Sequence, residues 1–223
     1  MTPANVFGAL LAQDCLLCAE PSGTEMLCAP CVAELPRAEG GCPQCANADT
    51  MGQICGACLS HPPHYDATTA LWRYEFPIDR MIHALKYGER LAIAAWFGRK
   101  LAEELANQKP DLLLPMPLHP QRLSDRGFNQ AVEITRTISK HLQLPWAGDV
   151  LQRTRDTAPQ TDLPIEERAR NVKDAFVCMG NLSGKTVVVV DDVMTTGATL
   201  NETAAAIKKA GAARVENWVV ARA

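Results

Sequence analysis

The chain has 223 residues, of which 47% are hydrophobic and 21% are charged, and its formal net charge is −3 at pH 7. This length accommodates one domain of about 150 residues and a smaller one. The negative balance excludes a strongly basic nucleic-acid-binding chain, so any nucleic-acid site would have to be a local patch. No apolar run reaches the roughly 20 residues that a membrane-spanning helix needs. Residues 1–13 lack the positive segment of a signal peptide, so we expect a cytoplasmic protein without membrane insertion.

Eight of the nine cysteines fall into four Cys-x-x-Cys pairs near the N-terminus. The pairs are Cys15/Cys18, Cys28/Cys31, Cys42/Cys45 and Cys55/Cys58. Each pair can present two thiolates from one tight turn, and two pairs complete a tetrahedral Cys₄ site for Zn²⁺. In a chain without export signals, such pairs favour metal binding over disulfides. The sequence therefore predicts two structural zinc sites, with a redox dithiol as the alternative.

The pairing of these motifs has two solutions. Sequential pairing would give two zinc ribbons in tandem, and interleaved pairing would give a cross-brace. Sequential pairing is favoured because each loop is short enough to close alone. A stiff linker, His61-Pro62-Pro63-His64, follows the last pair. We therefore expect a small zinc-binding domain over residues 1–62, stabilised largely by its metal, and a larger domain over residues 63–223.

Strand-like and helix-like segments alternate in the larger domain. The pattern predicts a strand over residues 70–76, a helix over residues 78–86 and a short buried strand over residues 111–117. Lys86, at the end of that helix, is interpreted as a solvated helix-end residue rather than as an anion ligand. Residues 215–220 predict a last strand that closes the sheet. This alternation favours an α/β fold.

A predicted loop follows the strand over residues 111–117. This loop, residues 118–130, is rich in cations and amides and leads into a helix. Ligands of open α/β sheets bind at the carboxyl ends of strands. Arg122 and Arg126 lie four residues apart, so one helical turn would place both guanidinium groups on one side, where they suit pyrophosphate oxygens. The alternative is a pair of surface arginines bridged to Asp125 and its neighbours.

The most informative stretch covers residues 187–200. Four consecutive valines, residues 187–190, predict a strand buried on both faces. Asp191 and Asp192 follow where this strand is expected to end, and a loop of threonine and glycine then leads into a helix that Gly211 ends. The loop and the helix N-terminus offer backbone N–H groups that suit a phosphate. Because carboxylates suit ribose hydroxyls or a metal ion, the stretch predicts a site for a phosphorylated sugar.

This stretch resembles the signature with which type I phosphoribosyltransferases bind 5-phosphoribosyl 1-pyrophosphate (PRPP): four apolar residues, two acids and then x-x-Thr-Thr-Gly-x-Thr-Leu. The resemblance implies that Asp191 and Asp192 hold the ribose 2′- and 3′-hydroxyls as the catalytic acid pair, and that Mg²⁺ bridges the sugar and the pyrophosphate. It also implies that the loop wraps the 5′-phosphate. The residues that would bind PRPP are Asp191, Asp192, Met194, Thr195, Thr196, Gly197, Ala198 and Thr199.

A second resemblance covers nearly the whole chain. The pattern Pro-x-Pro-Leu-x-x-x-Arg-x-x-x-Arg-Gly-Phe-Asn-Gln, behind a cysteine-rich N-terminus and a Lys86-Tyr87 pair, is similar to the ComF family of competence-associated, GntX-like phosphoribosyltransferase relatives. It implies a type I phosphoribosyltransferase-like domain, with a mostly parallel sheet flanked by helices, behind a small N-terminal Cys₄ zinc-binding domain. It also implies that the long polar segment over residues 154–172 is a hood, which closes over PRPP and excludes water. The alternative is a solvated connector. The candidates for pyrophosphate or hood contacts are Arg122, Arg126, Arg153, Thr157, Gln160, Arg168 and Asn171.

Two functions are open at this point. The first is a Mg²⁺-dependent phosphoribosyltransferase with an unidentified acceptor. The second is a binding protein that holds single-stranded DNA or DNA-uptake proteins, as the tie of the ComF family to transformation implies. The net charge of −3 and the lack of a basic-aromatic stripe speak against the second function. Asp191 and Asp192 also favour the first, because carboxylates beside a phosphate loop would repel a nucleic-acid backbone.

Overall fold

The computed structural model describes residues 13–88, 90–155 and 172–223. The strands in these ranges are β1 (Gln13–Asp14), β2 (Pro21–Gly23), β3 (Ala67–Arg73), β4 (Leu112–Pro115), β5 (Leu151–Arg153), β6 (Phe176–Cys178), β7 (Thr186–Met194) and β8 (Arg214–Arg222). The helices are α1 (Ala29–Ala33), α2 (Gly56–Ser60), α3 (Ile78–Tyr87), α4 (Leu91–Glu104), α5 (Pro120–Arg126), α6 (Gln130–Leu142) and α7 (Ala198–Lys209).

The cysteine pairs combine sequentially into two clusters. The Sγ atoms within each cluster lie within 4.8 Å of one another; the first cluster is Cys15, Cys18, Cys28 and Cys31, and the second is Cys42, Cys45, Cys55 and Cys58. The two are built alike. In each, the residue after the second cysteine has a positive φ, 61° at Ala19 and 54° at Ala46, and the third cysteine precedes a short helix. Tandem ribbons are therefore confirmed, and the cross-brace is excluded.

The main sheet has four parallel strands in the order β3-β8-β7-β4. Along β7, Val188 and Val190 pack into one apolar core, and Val187 and Val189 pack into the other, so both faces of this strand are buried. This confirms the mostly parallel α/β sheet. The last strand does not close the sheet, however. It lies between β3 and β7, in the interior of the sheet, where strands buried on both faces are typically found.

Two apolar cores lie on the two faces of the sheet. One core contains apolar residues of α3, α4 and α6 and the stacked rings of Trp72 and Trp96, whose centroids are 5.5 Å apart. Leu27 and Leu35, from the region of the first cluster, belong to this core. The other core contains residues of α7 and of the second cluster, together with Tyr65. The two clusters are thus attached to different parts of the molecule.

Two strands end at positions other than those that the sequence pattern predicts: β7 is longer than predicted and β3 ends earlier. β7 continues through Asp191 and Asp192 to Met194, because its pairing with β8 extends to Arg222. β3 ends at Arg73, also opposite Arg222, rather than at residue 76. The acid pair is therefore held by sheet hydrogen bonds and not by a loop.

The segment predicted as a loop over residues 118–130 contains helix α5. Pro120 stands in its first turn, where a proline favours helix initiation. The side chain of His119 accepts a hydrogen bond from the N–H of Gln121 at 3.3 Å. Gly127, with a φ of 77°, ends the helix in the left-handed conformation. Pro120 thus starts a helix inside the segment that the sequence predicts as a loop.

Candidate functional site

A cavity of about 230 Å³, here called the acid-pair cavity, opens at the carboxyl ends of β4 and β7. This is the edge at which open α/β sheets bind their ligands. Within the described ranges, its charged lining side chains are Lys86, Arg122, Arg126, Arg153, Asp191 and Asp192. Residues that lie far apart in the sequence thus bring cations next to two carboxylates.

In the acid pair, Asp192 is buried and Asp191 is partly buried, and if both were ionised they would carry two negative charges beside the single positive charge of Lys86. Asp192 is 3% exposed, and Oδ1 of Asp191 accepts a hydrogen bond from the backbone N–H of Asp192 at 2.8 Å. Burial and the adjacent charge of Asp192 raise the pKa of Asp191 to about 8, although the charge of Lys86 acts in the opposite direction. A bound cation or a hydroxyl donor would stabilise the ionised pair.

Lys86 is the counter-ion of this pair and not the solvated helix-end residue that the sequence predicts. Its Nζ lies 2.8 Å from Oδ2 of Asp192, and its side chain is 24% exposed. Burial, the largest single influence, acts to lower the pKa of Lys86, but the charge and hydrogen bond of Asp192 together with the charge of Asp191 outweigh it and raise that pKa. α3 packs through Ile78, Ile82 and Leu85, which fixes the direction of the next turn. In the sequence, the Lys86-Tyr87 pair of the ComF pattern was the feature that could have indicated this role of Lys86.

The loop between β7 and α7 has a conformation that requires glycine at one position. Gly197 is the N-cap of α7 and has a φ of 79°. A Cβ atom there would lie 2.6 Å from Cε of Met194 and 3.0 Å from Oη of Tyr65. Thr196 Oγ1 accepts a hydrogen bond from the N–H of Ala198 at 3.4 Å. The glycine lets the chain turn directly into a twelve-residue helix, whose N-terminus faces the cavity edge.

The predicted phosphate-loop residues divide between two cavities. Met194, Thr195, Gly197 and Thr199 line the acid-pair cavity. Thr196 and Ala198 instead line a cavity of about 510 Å³ on the other side of the loop, here called the rear cavity, and Gly197 lines both. The other wall of the rear cavity includes three cysteines of the second cluster, Cys45, Cys55 and Cys58.

The predicted pyrophosphate arginines come together at the acid-pair cavity. α5 carries Arg122 and Arg126 on consecutive turns, and β5 carries Arg153. The guanidinium carbon of Arg126 lies 5.6 Å from the ring centroid of Tyr87, and its Nη1 donates to Oε1 of Gln130 at 2.8 Å. These contacts orient Arg126 from two sides. The remaining candidates, Thr157, Gln160, Arg168 and Asn171, lie outside the residues that the structure describes.

Arg222 is a site residue that the sequence interpretation missed. Its Nε donates to the carbonyl oxygen of Cys45 at 2.9 Å. Its Nη1 donates to the carbonyl oxygen of Met194 at 3.2 Å and to that of Thr195. An arginine directly after an apolar strand resembles an ordinary solvated strand end. Its predicted place at the carboxyl edge of the sheet was the feature that could have indicated a role in the site.

The two cysteine clusters fit zinc. Sγ of Cys18 lies 3.6 Å from Sγ of Cys28, and the same distance separates Sγ of Cys45 from Sγ of Cys55. Zn–S bonds of about 2.3 Å in a tetrahedron place sulfur atoms roughly 3.8 Å apart, so the spacing matches. Four thiolates fill the coordination of Zn²⁺, which makes both sites structural.

Comparisons with known proteins agree with this architecture. Residues 128–223 match the phosphoribosyl transferase domain, and residues 6–59 match the double zinc ribbon domain. The chain is 34% identical over 218 residues to the DNA utilization protein YhgH of Escherichia coli O157:H7. This alignment covers 93% of this chain and 96% of that protein. It is 31% identical over 181 residues to competence protein F of Haemophilus influenzae, over 77% of this chain and 79% of that protein. The chain belongs to the ComF family.

The fold of this ComF-family chain is of the type I phosphoribosyltransferase class behind a double zinc ribbon, as its domain matches and sheet topology show. Among solved structures, the purine phosphoribosyltransferase from Pyrococcus horikoshii Ot3 aligns with 57% of this chain and 81% of its own, at 21% identity and a TM-score of 0.38. None of the helices in the described ranges has the length and apolarity that crossing a membrane requires.

Proposed function

We propose that the chain binds PRPP with Mg²⁺ in the acid-pair cavity and transfers the phosphoribosyl group to an as yet unidentified acceptor, with release of pyrophosphate. The observation that carries this proposal is the meeting of three groups in one cavity. These are the acid pair, the glycine-containing loop at the N-terminus of α7, and a set of cations from α3, α5 and β5. Each group suits one part of PRPP: the ribose, the 5′-phosphate and the pyrophosphate.

The roles follow from chemistry. Asp191 and Asp192 accept hydrogen bonds from the ribose hydroxyls. Thr195 and Thr199 bind the 5′-phosphate through hydroxyl and backbone N–H donors, assisted by the helix dipole of α7. The cations bind the pyrophosphate, and they are Lys86, Arg122, Arg126 and Arg153. Lys86 pairs with Oδ2 of Asp192 at 2.8 Å, so the ribose hydroxyls and Lys86 would share the oxygens of this carboxylate.

The acid pair also fits Mg²⁺. Carboxylate oxygens are hard ligands of the kind that Mg²⁺ prefers. The pKa of Asp191, raised to about 8 by burial and by Asp192, reflects negative charge that a divalent cation would relieve. When bound, Mg²⁺ supplies charge neutralisation for the pyrophosphate.

The transfer needs mainly positioning from the chain. The bond between C1′ of the ribose and the pyrophosphate oxygen breaks, and the pyrophosphate leaves with the electron pair. A lone pair on the acceptor forms the new bond to C1′. The cations of α5 and β5 hold the leaving group, while the acid pair holds the sugar as positive charge develops on it.

A second candidate function concerns DNA. Two relatives are named for DNA utilization and for competence. In this chain, Tyr87 is 68% exposed at the rim of the acid-pair cavity and stacks against Arg126. Proteins that bind single-stranded nucleic acids stack the bases on exposed aromatic rings, often with an arginine nearby. The alternative is therefore a DNA-uptake factor that holds single-stranded DNA or protein partners at this rim.

The two functions are separated by one pair of measurements. Zinc-loaded wild type and an Asp191→Ala/Asp192→Ala variant are incubated with PRPP, Mg²⁺ and a panel of nucleobases and amines, and pyrophosphate release is measured. We expect release from the wild type only, with at least one acceptor. Fluorescence anisotropy of a single-stranded oligonucleotide is measured on both proteins. Oligonucleotide binding that both share, without pyrophosphate release by either, would favour the DNA function.

A further inference from the structure

The rear cavity joins the second cysteine cluster to the back of the predicted phosphate loop. Its walls are the second cluster on one side and Thr196, Gly197 and Ala198 on the other. Tyr65, a buried residue between the two, brings its Oη to within 3.0 Å of the position that a Cβ of residue 197 would take. The loop therefore rests on the second ribbon, whereas the first cluster packs against the opposite core.

Arg222 connects the two walls by hydrogen bonds. One edge of its guanidinium group binds the carbonyl oxygen of Cys45 at 2.9 Å. The other edge binds the carbonyl oxygens of Met194 and Thr195, the residues at which β7 becomes the loop. The rigid, planar fork of arginine donors suits such a bridge better than a lysine would.

These bonds set the direction of the loop amides, together with the backbone N–H of Ala223, which donates to the carbonyl oxygen of Met194 at 3.0 Å. In a trans peptide plane, the C=O of one residue and the N–H of the next point in opposite directions. Because Arg222 binds the carbonyl groups of Met194 and Thr195, the N–H groups of Thr195 and Thr196 point away from Arg222. A further bond, from the N–H of His64 to Oδ1 of Asn201 at 2.7 Å, ties the chain after the second ribbon to α7.

We propose that the second cysteine cluster holds the phosphate-binding loop in place and that Arg222 is the residue that positions the loop against the cluster. The folded, zinc-bound ribbon holds the carbonyl oxygen of Cys45 in place, and Arg222 transmits this position to the backbone of residues 194–197. The first cluster has no such connection among the described residues. The ligand assigned to the loop rests on the proposed function, but the link between cluster and loop rests on the contacts alone.

Hydrogen exchange of the amides of residues 194–200 tests the link directly. Cys55→Ser and Cys28→Ser are matched variants, since each cysteine is the third of its cluster and precedes a short helix that serine can cap. Arg222→Met keeps both clusters, and its zinc content should remain two ions per chain, as the two clusters predict.

We expect Cys55→Ser and Arg222→Met to speed exchange of these amides by about tenfold or more, as the loss of a hydrogen bond to a charged group implies. Cys28→Ser should change it by less than about twofold. Arg222→Lys should lie between wild type and Arg222→Met. Unchanged exchange in Arg222→Met, or an equal rise in Cys28→Ser, would overturn the proposal. If Cys55→Ser does not fold, Arg222→Met decides alone.

Ligand titrations then separate this link from the proposed function. Arg222→Met should weaken binding of ribose 5-phosphate by about tenfold. Pyrophosphate, which would bind at the arginines of the acid-pair cavity, should bind as in the wild type. A general structural defect would weaken both ligands. If the wild type binds neither ribose 5-phosphate nor PRPP, the proposed function fails, and hydrogen exchange still accepts or rejects the link.

Discussion

The two cysteine clusters share one spacing, Cys-x₂-Cys-x₉-Cys-x₂-Cys, yet they differ in what they contact. The region around the first cluster contributes Leu27 and Leu35 to the apolar core that contains Trp72 and Trp96. The second lies beside the loop that follows the acid pair and is bridged to it by Arg222. The same metal chemistry thus supports an apolar core on one side and a polar site on the other. A motif determines which ion is bound, and its neighbours determine what the ion stabilises.

The largest expected effect concerns the polar side, where stability depends on paired charge. Lys86→Met would leave the buried carboxylate of Asp192 without its counter-ion. We expect a loss of about 3–5 kcal/mol in the free energy of unfolding, because an unpaired buried charge is strongly destabilising. Urea denaturation followed by tryptophan fluorescence measures it.

Lys100→Met is the matched control for that variant. Lys100 pairs with Glu103 at 2.7 Å on the surface of α4, where the side chain of Glu103 is 62% exposed. Such a pair contributes about 0.5 kcal/mol or less. Equal losses in the two variants would contradict the role of Lys86 as the counter-ion of the acid pair.

The next effect concerns the apolar side. Leu35 is 4% exposed in the core that the first cluster joins. Leu35→Ala should lower the free energy of unfolding by about 2–5 kcal/mol through lost burial and a residual cavity. At a temperature where the variant is folded, its affinity for PRPP should equal that of the wild type. A matching loss of affinity would show that the first ribbon also supports the site.

Gly197→Ala tests the contact between the second ribbon and the loop. A residue with a φ of 79° costs about 1–3 kcal/mol when it is not glycine, and the new Cβ would also meet Met194 and Tyr65. Gly184→Ala is the control, because its φ is 74° and no atom lies within 4 Å of its Cβ position. Thermal denaturation should show a larger loss at position 197, and only that variant should bind ribose 5-phosphate more weakly.

The last effect is a pH dependence, which is the smallest of these when it is expressed per unit of pH. The pKa of Asp191 is raised to about 8 in the folded chain, against about 3.9 in an unfolded one. Between these values the folded state holds a proton that the unfolded state has released, so stability falls as pH rises, by at most about 1.4 kcal/mol per unit. Asp191→Asn should remove this slope in denaturation curves recorded from pH 5 to pH 8. A slope of the same size in the variant would assign it to another group.

Chemistry that lies within a few residues was predictable from the sequence. The cysteines form two clusters, and the acid pair, the arginines of α5 and part of the threonine-glycine loop line one cavity, because local spacing and strand ends determine their positions. Thr196 and Ala198 line the rear cavity instead. The roles of Gln160, Arg168 and Asn171, and a domain boundary at residues 62–63, stay predictions.

Contacts between distant residues were not predictable. The hydrogen bond from Arg222 to Cys45 joins residues 177 positions apart, and the pair of Lys86 with Asp192 joins two secondary-structure elements. Both depend on strand order and register, which place β8 between β3 and β7. Local hydrophobic pattern carries no information on that order. α5 was missed for a different reason, since its seven residues are too few to show the apolar periodicity that marks a helix in a sequence.

The most direct test of the PRPP site is a calorimetric titration of the zinc-loaded chain with PRPP in the presence of Mg²⁺, alongside the Asp191→Ala/Asp192→Ala variant. We predict saturable binding by the wild type and a loss of about 100-fold or more in the variant, since two charged hydrogen-bonding groups are removed. Equal binding by both proteins would contradict the role of the acid pair. Absence of binding by either would contradict the assignment of the cavity to PRPP.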